Sequence, residues 1–530
     1  MFRHRALREG IVLAAFCGFL FFFGLSWFGL VGADEPRYAQ VAREMWARHD
    51  WITPVLGGVP WLEKPPLYYW QAMMAYSLFG VSDWAARIPS AVDATLLVVA
   101  VFLFLRRFRP DFQLDGALIA ASSVAMVGFG RAASTDMPLA SMFAIAMLDW
   151  YAWEETSNKL WLAGFYVFAG LGVLAKGPIA VFLAVVVIAV FAACKRDWRL
   201  IARTVWFPGI LLFCVVTLPW YVLVQLRNPE FFRIFILQHN LERFGSNLYH
   251  HPQPFWFYLP IALLSLLPWT ALIVDAAIRR TQNLWRERRE IPRQDALGLF
   301  LLIWLIVPIL FFSISQSKLP GYILPALPAG SLLLAESLPA FEVRTWARRF
   351  VIVLHSFLAA GLIVPSILIL HIMLRHRVPL SSGTAILLAI AGGLAGLSTF
   401  VLIRYGAPAL RFATLLPVII AVSAVLRLGA PALDDSLSAR PVAQQLVQWQ
   451  SATMPVAVFH VRRELDYGLQ FYLDRNILRY EDGQVPESGH ILIASHDIKL
   501  EIAKNPIGRR ALYLGSFSSQ RLDFYLVSAK

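Results

Sequence analysis

Thirteen mostly apolar stretches recur along the first 430 positions, each close to the roughly 20 residues a helix needs to cross the hydrocarbon of a bilayer. They lie near 10–30, 84–105, 113–130, 137–153, 160–175, 178–194, 204–224, 256–278, 296–314, 322–340, 350–373, 383–403 and 412–430. Nothing constrains the fold more. In lipid every backbone N–H and C=O must find a partner inside the protein, so such runs become helices of a polytopic bundle. Composition agrees. The chain is 58% hydrophobic and 15% charged, against about 45–50% and about 25% in soluble domains, and its mean hydropathy is +0.60. These values exclude a soluble cytosolic enzyme, a disordered chain and a disulfide-stapled secreted module. The spacing of Cys17, Cys194 and Cys214 fits neither a zinc motif nor a disulfide frame.

A formal charge of +13 would suggest nucleic acid as partner in a soluble protein. Here the basic residues fall on one set of connections, which points to anionic lipid instead. With Arg3, Arg5 and Arg8 inside, the inside connections also hold Arg106, Arg107 and Arg109, Lys195 to Arg203, Arg279 to Arg293, Arg344 to Arg349, and Arg404 with Arg411. Arg375 and Arg377 are the main exception. An odd number of spans then places the C-terminus outside. The first run resembles a signal peptide but lacks a small-residue cleavage site, and is read as a span.

Two outside segments are long, at about 32–83 and 225–255. Pro36 to Arg48 has helical periodicity, with Tyr38, Val41, Ala42, Met45 and Trp46 on one face. A second amphipathic piece follows Lys64-Pro65-Pro66. Both read as helices lying on the bilayer surface. From about Pro431 the character changes. Ser438 to Gln450 reads as a capped helix, and β-like runs follow at Val456–Val461, Leu469–Leu473, Ile491–Ser495, Ala511–Ser516 and Leu522–Ser528. The expected organisation is a membrane domain over 1–430 and a small α/β domain over 431–530.

Chemistry concentrates on the outside. Asp34 and Glu35 follow the first span directly. Asp34 as helix N-cap with Pro36 in the first turn accounts for the pair without any function. A capped start also fixes a carboxylate rigidly, so function and capping are compatible. Glu63-Lys64-Pro65-Pro66 sets an ammonium beside a rigid Pro pair, which suits a phosphate or an interfacial lysine in an aromatic belt. Only eight residues are Lys. Three of them, Lys64, Lys176 and Lys318, fall on the side where positive charge is depleted, the last two in tight Gly/Pro turns. Each snorkels or binds an anion, and together they suggest an anion site. Asp136, before Met137-Pro138, either caps a helix or adds a second carboxylate. His250-His251 is a solvated loop pair or half of a metal site needing a third ligand such as Glu63. Topology thus gathers Asp34, Glu35, Glu63, Lys64, Asp136, Lys176, Arg243, His250, His251 and Lys318 on one face. Carboxylates beside a cationic pocket suit group transfer from a lipid phosphate.

In Asp34-Glu35-Pro36-Arg37-Tyr38, Glu63-Lys64-Pro65-Pro66-Leu67-Tyr68-Tyr69-Trp70, Ser134-Thr135-Asp136-Met137-Pro138, Lys176-Gly177-Pro178 and Ser317-Lys318-Leu319-Pro320-Gly321-Tyr322-Ile323-Leu324-Pro325, the chain resembles GT-C class membrane glycosyltransferases of the protein O-mannosyltransferase-like superfamily. Within it, the likeness is to the bacterial 4-amino-4-deoxy-L-arabinose (aminoarabinose) transferases of lipid A. The resemblance implies about thirteen transmembrane helices, interfacial periplasmic helices and a C-terminal α/β periplasmic domain in the bacterial inner membrane. It implies inverting sugar transfer from undecaprenyl phosphate to a lipid A or lipopolysaccharide acceptor. Asp34 would be the principal catalytic carboxylate, Asp136 a second one at the acceptor, with Glu35 beside Asp34 and Arg37 supporting it. Lys64, Arg243 and Tyr322 would hold the lipid phosphate, with Lys318 and Lys176 as further cations. Glu63, His250 and His251 match a structural zinc site, and no cofactor is expected for catalysis. Related enzymes share these motifs, so transfer of another sugar to lipopolysaccharide core, glycan or protein is the alternative. A transporter or flippase of a lipid-linked anion would need charges buried in mid-span, where Asp93 and Asp149 are the few near apolar runs.

Overall fold

The structure, a computed structural model, describes residues 2–242, 253–286, 296–340, 345–364, 383–449, 454–498 and 509–529. Among these, six helices are long and apolar enough to cross a membrane, and there are up to eight spans if each of two bent pairs counts as one. The chain is a multi-pass membrane protein.

Hydropathy sets the helices. The long ones are α4 (Asp83–Phe108), α7 (Asp136–Thr156), α8 (Lys159–Lys176) and α9 (Ile179–Lys195), followed by Phe207–Arg227, Ala296–Ile314, Gly383–Tyr405 and Leu410–Ala424. Two expected spans are broken. The run near 113–130 divides into α5 (Gln113–Ser122) and α6 (Val124–Gly130), bent by 66°, with Ser123 capping the second piece. The run near 256–278 turns by 115° between Ser265 and Thr270. The run near 322–340 begins as a 3₁₀ segment, Pro320–Ala326, before Leu327–Ser337 becomes α-helical. A broken span leaves carbonyls without partners, tolerable only inside protein. The Trp304 indole accordingly donates to the Pro325 carbonyl at 2.9 Å. One apolar core runs through this bundle, with Trp150, Phe191, Phe300 and Trp304 at its centre.

The first run is shorter than hydropathy suggests. Helix α1 (Phe2–Cys17) passes into a π-turn over Gly18–Phe22 and stops, with Gly24 at φ +70°. The backbone from Leu25 to Val31 is irregular and needs partners for its polar groups, which has consequences below.

Beyond it, α2 (Asp34–Ala47) and α3 (Leu67–Phe79) flank a two-residue hairpin, β1 (Val55–Leu56) with β2 (Val59–Pro60). Their apolar faces meet each other and the start of α4 in a second core of Tyr38, Met45, Tyr68, Tyr69, Met73 and Tyr76. Helix α2 therefore buries most of its apolar face in protein. Asp34 is also not an N-cap. It is the first helical residue, and Ala33 precedes it with no side-chain cap.

The C-terminal portion carries a five-stranded mixed sheet, ordered β4-β3-β5-β7-β6, from β3 (Val456–Phe459), β4 (Leu478–Arg479), β5 (His490–Ser495), β6 (Ala511–Phe517) and β7 (Leu522–Val527). Strands β3, β4 and β5 pair parallel, while β5, β7 and β6 pair antiparallel. Helices Arg440–Gln448 and Arg463–Leu473 cover one face around Val442, Leu446, Leu465 and Leu469. The run Leu469–Leu473 is helix, not strand. Five mostly apolar residues in isolation do not distinguish the two periods, and the buried pair Leu465 and Leu469 sits one helical turn apart.

Candidate active site

Asp34 opens α2, and its carboxylate accepts from Arg37 one turn later. The Asp34 side chain is about half exposed, so the pair leaves carboxylate surface open to solvent or substrate. Arg37 is held between rings, 4.9 Å from the Tyr38 centroid and 5.4 Å from that of Trp61. Burial alone would lower the pKa of this guanidinium, but Tyr38, Asp34 and Glu63 around it outweigh burial and raise it. Glu63 therefore stands within electrostatic reach of the Asp34–Arg37 pair. This brings the Glu63-Lys64 turn, half-buried between β2 and α3, to the same place.

Asp136 opens α7, where its carboxylate accepts from the Lys176 ammonium at the end of α8. Lys176 also lies 4.9 Å from the centroid of the Tyr322 ring, which packs on Phe312 at 5.2 Å. Gly321 has to be glycine for space. A Cβ there would stand 2.8 Å from the Asp136 carboxylate and 3.0 Å from the Phe129 ring.

Tyr38 joins the two carboxylate centres. Burial first, then Asp34 and Asp136, raise the pKa of its hydroxyl above the usual phenol range, and Arg37 opposes them in part. The backbone makes a second link: the amide of Ala133, three residues before Asp136, donates 2.7 Å to the Glu35 carboxylate. Asp34, Arg37, Glu63, Asp136, Lys176 and Tyr322 thus share one end of the bundle.

Two expected site residues are used otherwise. Glu35, read as catalytic beside Asp34, is 6% exposed and fully engaged. It accepts from the Arg87 Nε at 3.0 Å and Nη2 at 2.7 Å, from the Ala133 amide, and from the Val31 amide at 2.8 Å. A carboxylate with four donors has no lone pair left for a substrate. Lys318, expected to face a phosphate, is also buried. Its ammonium donates to the Ser315 carbonyl at 2.5 Å and the Gln253 carbonyl at 3.0 Å, so it ties its own turn to the segment at Gln253. Arg243, His250 and His251 lie outside the described residues. Among the described residues no three His, Cys, Asp or Glu side chains gather as metal ligands.

Sequence reasoning missed Arg87. It is fully buried near the start of α4. Besides Glu35, it donates to the carbonyls of Leu25, Phe28 and Gly29 at 2.8 Å each, which supplies partners for the irregular backbone after the first span. The available signal was an arginine at the start of an apolar run, a placement that is expensive in membrane unless paired.

The family profile for dolichyl-phosphate-mannose-protein mannosyltransferases matches residues 7–235. A protein of Pseudomonas aeruginosa (strain UCBPP-PA14), named undecaprenyl phosphate-alpha-4-amino-4-deoxy-L-arabinose arabinosyl transferase, is 33% identical over 334 residues, 62% of this chain and 59% of that one. One of the same name from Serratia proteamaculans is 33% identical over 333 residues, 61% and 58% of the two chains. The matched stretch thus spans under two thirds of these relatives. Among solved structures, ArnT from Cupriavidus metallidurans bound to undecaprenyl phosphate superposes with a TM-score of 0.77 at 23% identity, covering 97% of each chain. The apo oligosaccharyltransferase of Archaeoglobus fulgidus superposes with a TM-score of 0.51 at 13% identity, covering 93% of this chain and 70% of that one. The helical bundle and the C-terminal sheet together make this the GT-C fold.

Proposed function

We propose that this protein transfers 4-amino-4-deoxy-L-arabinose from undecaprenyl phosphate to a phosphate of lipid A, with inversion at the anomeric carbon. The reaction takes place at the periplasmic face of a bacterial inner membrane, with the N-terminus cytoplasmic and the C-terminal sheet periplasmic. One observation carries the reading. The Asp34–Arg37 and Asp136–Lys176 pairs stand around Tyr38 at one end of the bundle, in a fold whose relative was solved with undecaprenyl phosphate bound.

The acceptor oxygen attacks the anomeric carbon as the bond from that carbon to the donor phosphate oxygen breaks. The bonding pair stays on undecaprenyl phosphate, the leaving group. Lys64, Tyr322 and Arg243 hold that phosphate and stabilise its growing charge. A phosphate acceptor is already anionic and needs no general base. Asp34 therefore orients the acceptor and stabilises positive charge on the sugar ring, held in place by Arg37. Asp136, fixed by Lys176, lines the acceptor side.

The test is transfer in proteoliposomes holding the purified full chain, aminoarabinosyl undecaprenyl phosphate and lipid A, read by mass spectrometry. The expected product is lipid A heavier by one aminoarabinose. Consumption of a hexosyl donor but not of this one replaces the sugar, and modification of another acceptor replaces lipid A.

A structural zinc on Glu63, His250 and His251 accompanies this reading, and no step runs through it. Anomalous scattering at the zinc edge of metal-replete crystals is expected to peak beside Glu63. No peak there removes the ion and leaves the transfer chemistry standing.

A further inference from the structure

The segment that delivers Asp34 is gripped from two sides, and one grip comes from more than 400 residues away. Arg87 takes three carbonyls of the irregular backbone between the first span and α2. The C-terminal portion takes most of the remaining polar groups. Asp434 accepts from the Gly29 amide at 2.7 Å and the Tyr472 hydroxyl accepts from the Leu30 amide at 2.7 Å. Val31 forms an antiparallel bridge with Ser438. Arg440 donates to the Ser26 carbonyl at 3.0 Å and the Trp27 carbonyl at 3.2 Å, and is itself braced by Asp83 at 2.9 Å and Asp434 at 2.7 Å. Contact is close enough to exclude a side chain. A Cβ on Gly29 would lie 2.2 Å from the Ser438 hydroxyl and 2.6 Å from that of Tyr472. Farther along α2, Arg43 donates to the Phe471 carbonyl and pairs with Asp474 at 2.7 Å.

We propose that the C-terminal portion is a positioning element of the transfer site, and that Tyr472, Asp434 and Arg440 set where Asp34 stands by fixing the Ser26–Val31 backbone. This rests on the reading of Asp34 as a catalytic carboxylate. The contacts differ from ordinary docking in where they fall. They are hydrogen bonds to the main chain within eight residues of Asp34, those of Tyr472 and Asp434 within five, so any slack is transmitted along a short backbone to the carboxylate. A displacement of about 1 Å at a reacting group can cost up to about a hundredfold in rate.

The experiment uses the full-length protein in proteoliposomes and the variant Tyr472→Phe, which deletes one hydroxyl. Expected are a fall in kcat of about tenfold, KM for donor and acceptor each within about twofold, and a melting temperature close to wild type. Hydrogen–deuterium exchange of the peptide over residues 26–33 speeds up. Gly29→Ala pushes the same backbone away from Ser438 and Tyr472 and gives the same fall in kcat and faster exchange without altering any C-terminal residue. Wild-type turnover that both variants leave unchanged overturns the positioning role alone, as does a loss confined to melting temperature or KM. Absence of any sugar transfer by wild type overturns the functional reading, and the positioning role with it.

Discussion

Replacing Asp34 by Asn is expected to reduce kcat for sugar transfer by about a thousandfold, within the range usual for loss of a group acting directly on the reacting atoms. The substitution keeps size and shape and removes the charge that, in the proposed reaction, faces the developing positive sugar ring. Its structural cost is small. The Asp34–Arg37 pair is exposed on the acid's side, and pairs of that kind contribute about 0–1 kcal/mol. Arg37 keeps its contacts with Tyr38 and Trp61. The variant should therefore extract and melt like wild type and bind the donor with near-normal affinity. Turnover within about threefold of wild type would place the chemistry on another carboxylate, Asp136 first.

Glu35→Ala is expected to give the opposite signature, loss of the fold around the site. The change strands the buried Arg87 guanidinium and leaves the Val31 and Ala133 amides without their acceptor. Removing one partner of a buried ion pair costs about 3–5 kcal/mol, because the other charge remains desolvated and uncompensated. Thermal unfolding in detergent should show a clear drop for Glu35→Ala and a smaller one for Glu35→Gln, whose amide oxygen still accepts. A variant that melts like wild type yet transfers no sugar would return Glu35 to the chemistry. Glu35 and Asp34 are adjacent in sequence and are both carboxylates, so the contrast between these two experiments tests the division of labour directly.

That division was not legible in the string Asp34-Glu35-Pro36-Arg37. Successive residues on a helix point about 100° apart, so one of two adjacent acids faces the open side when the other faces the bundle. Which one does depends on Arg87, 52 residues later. Lys318 makes the same point. Its place in a Gly/Pro turn on the expected outer side suggested a cation for phosphate, yet the turn closes so that backbone carbonyls occupy the ammonium. Asp136 and Lys176 were each identified singly, and their ion pair appears only once α7 and α8 pack side by side.

Hydropathy alone determined the run of apolar helices, because in lipid a span must satisfy its own backbone and length with apolar content suffices to mark it. Periodicity alone placed a helix over Pro36–Arg48, and the structure has it at Asp34–Ala47. The tertiary structure decided the rest. It broke two spans where neighbouring segments accept their loose backbone groups, turned Leu469–Leu473 into helix, and buried α2 on α3. It also joined Gly29 and Leu30 to Asp434 and Tyr472. Helix formation is a matter of near neighbours and can be read along one dimension. The direction in which a charged side chain finds its partner is set by packing between segments tens to hundreds of residues apart, and no local pattern encodes that.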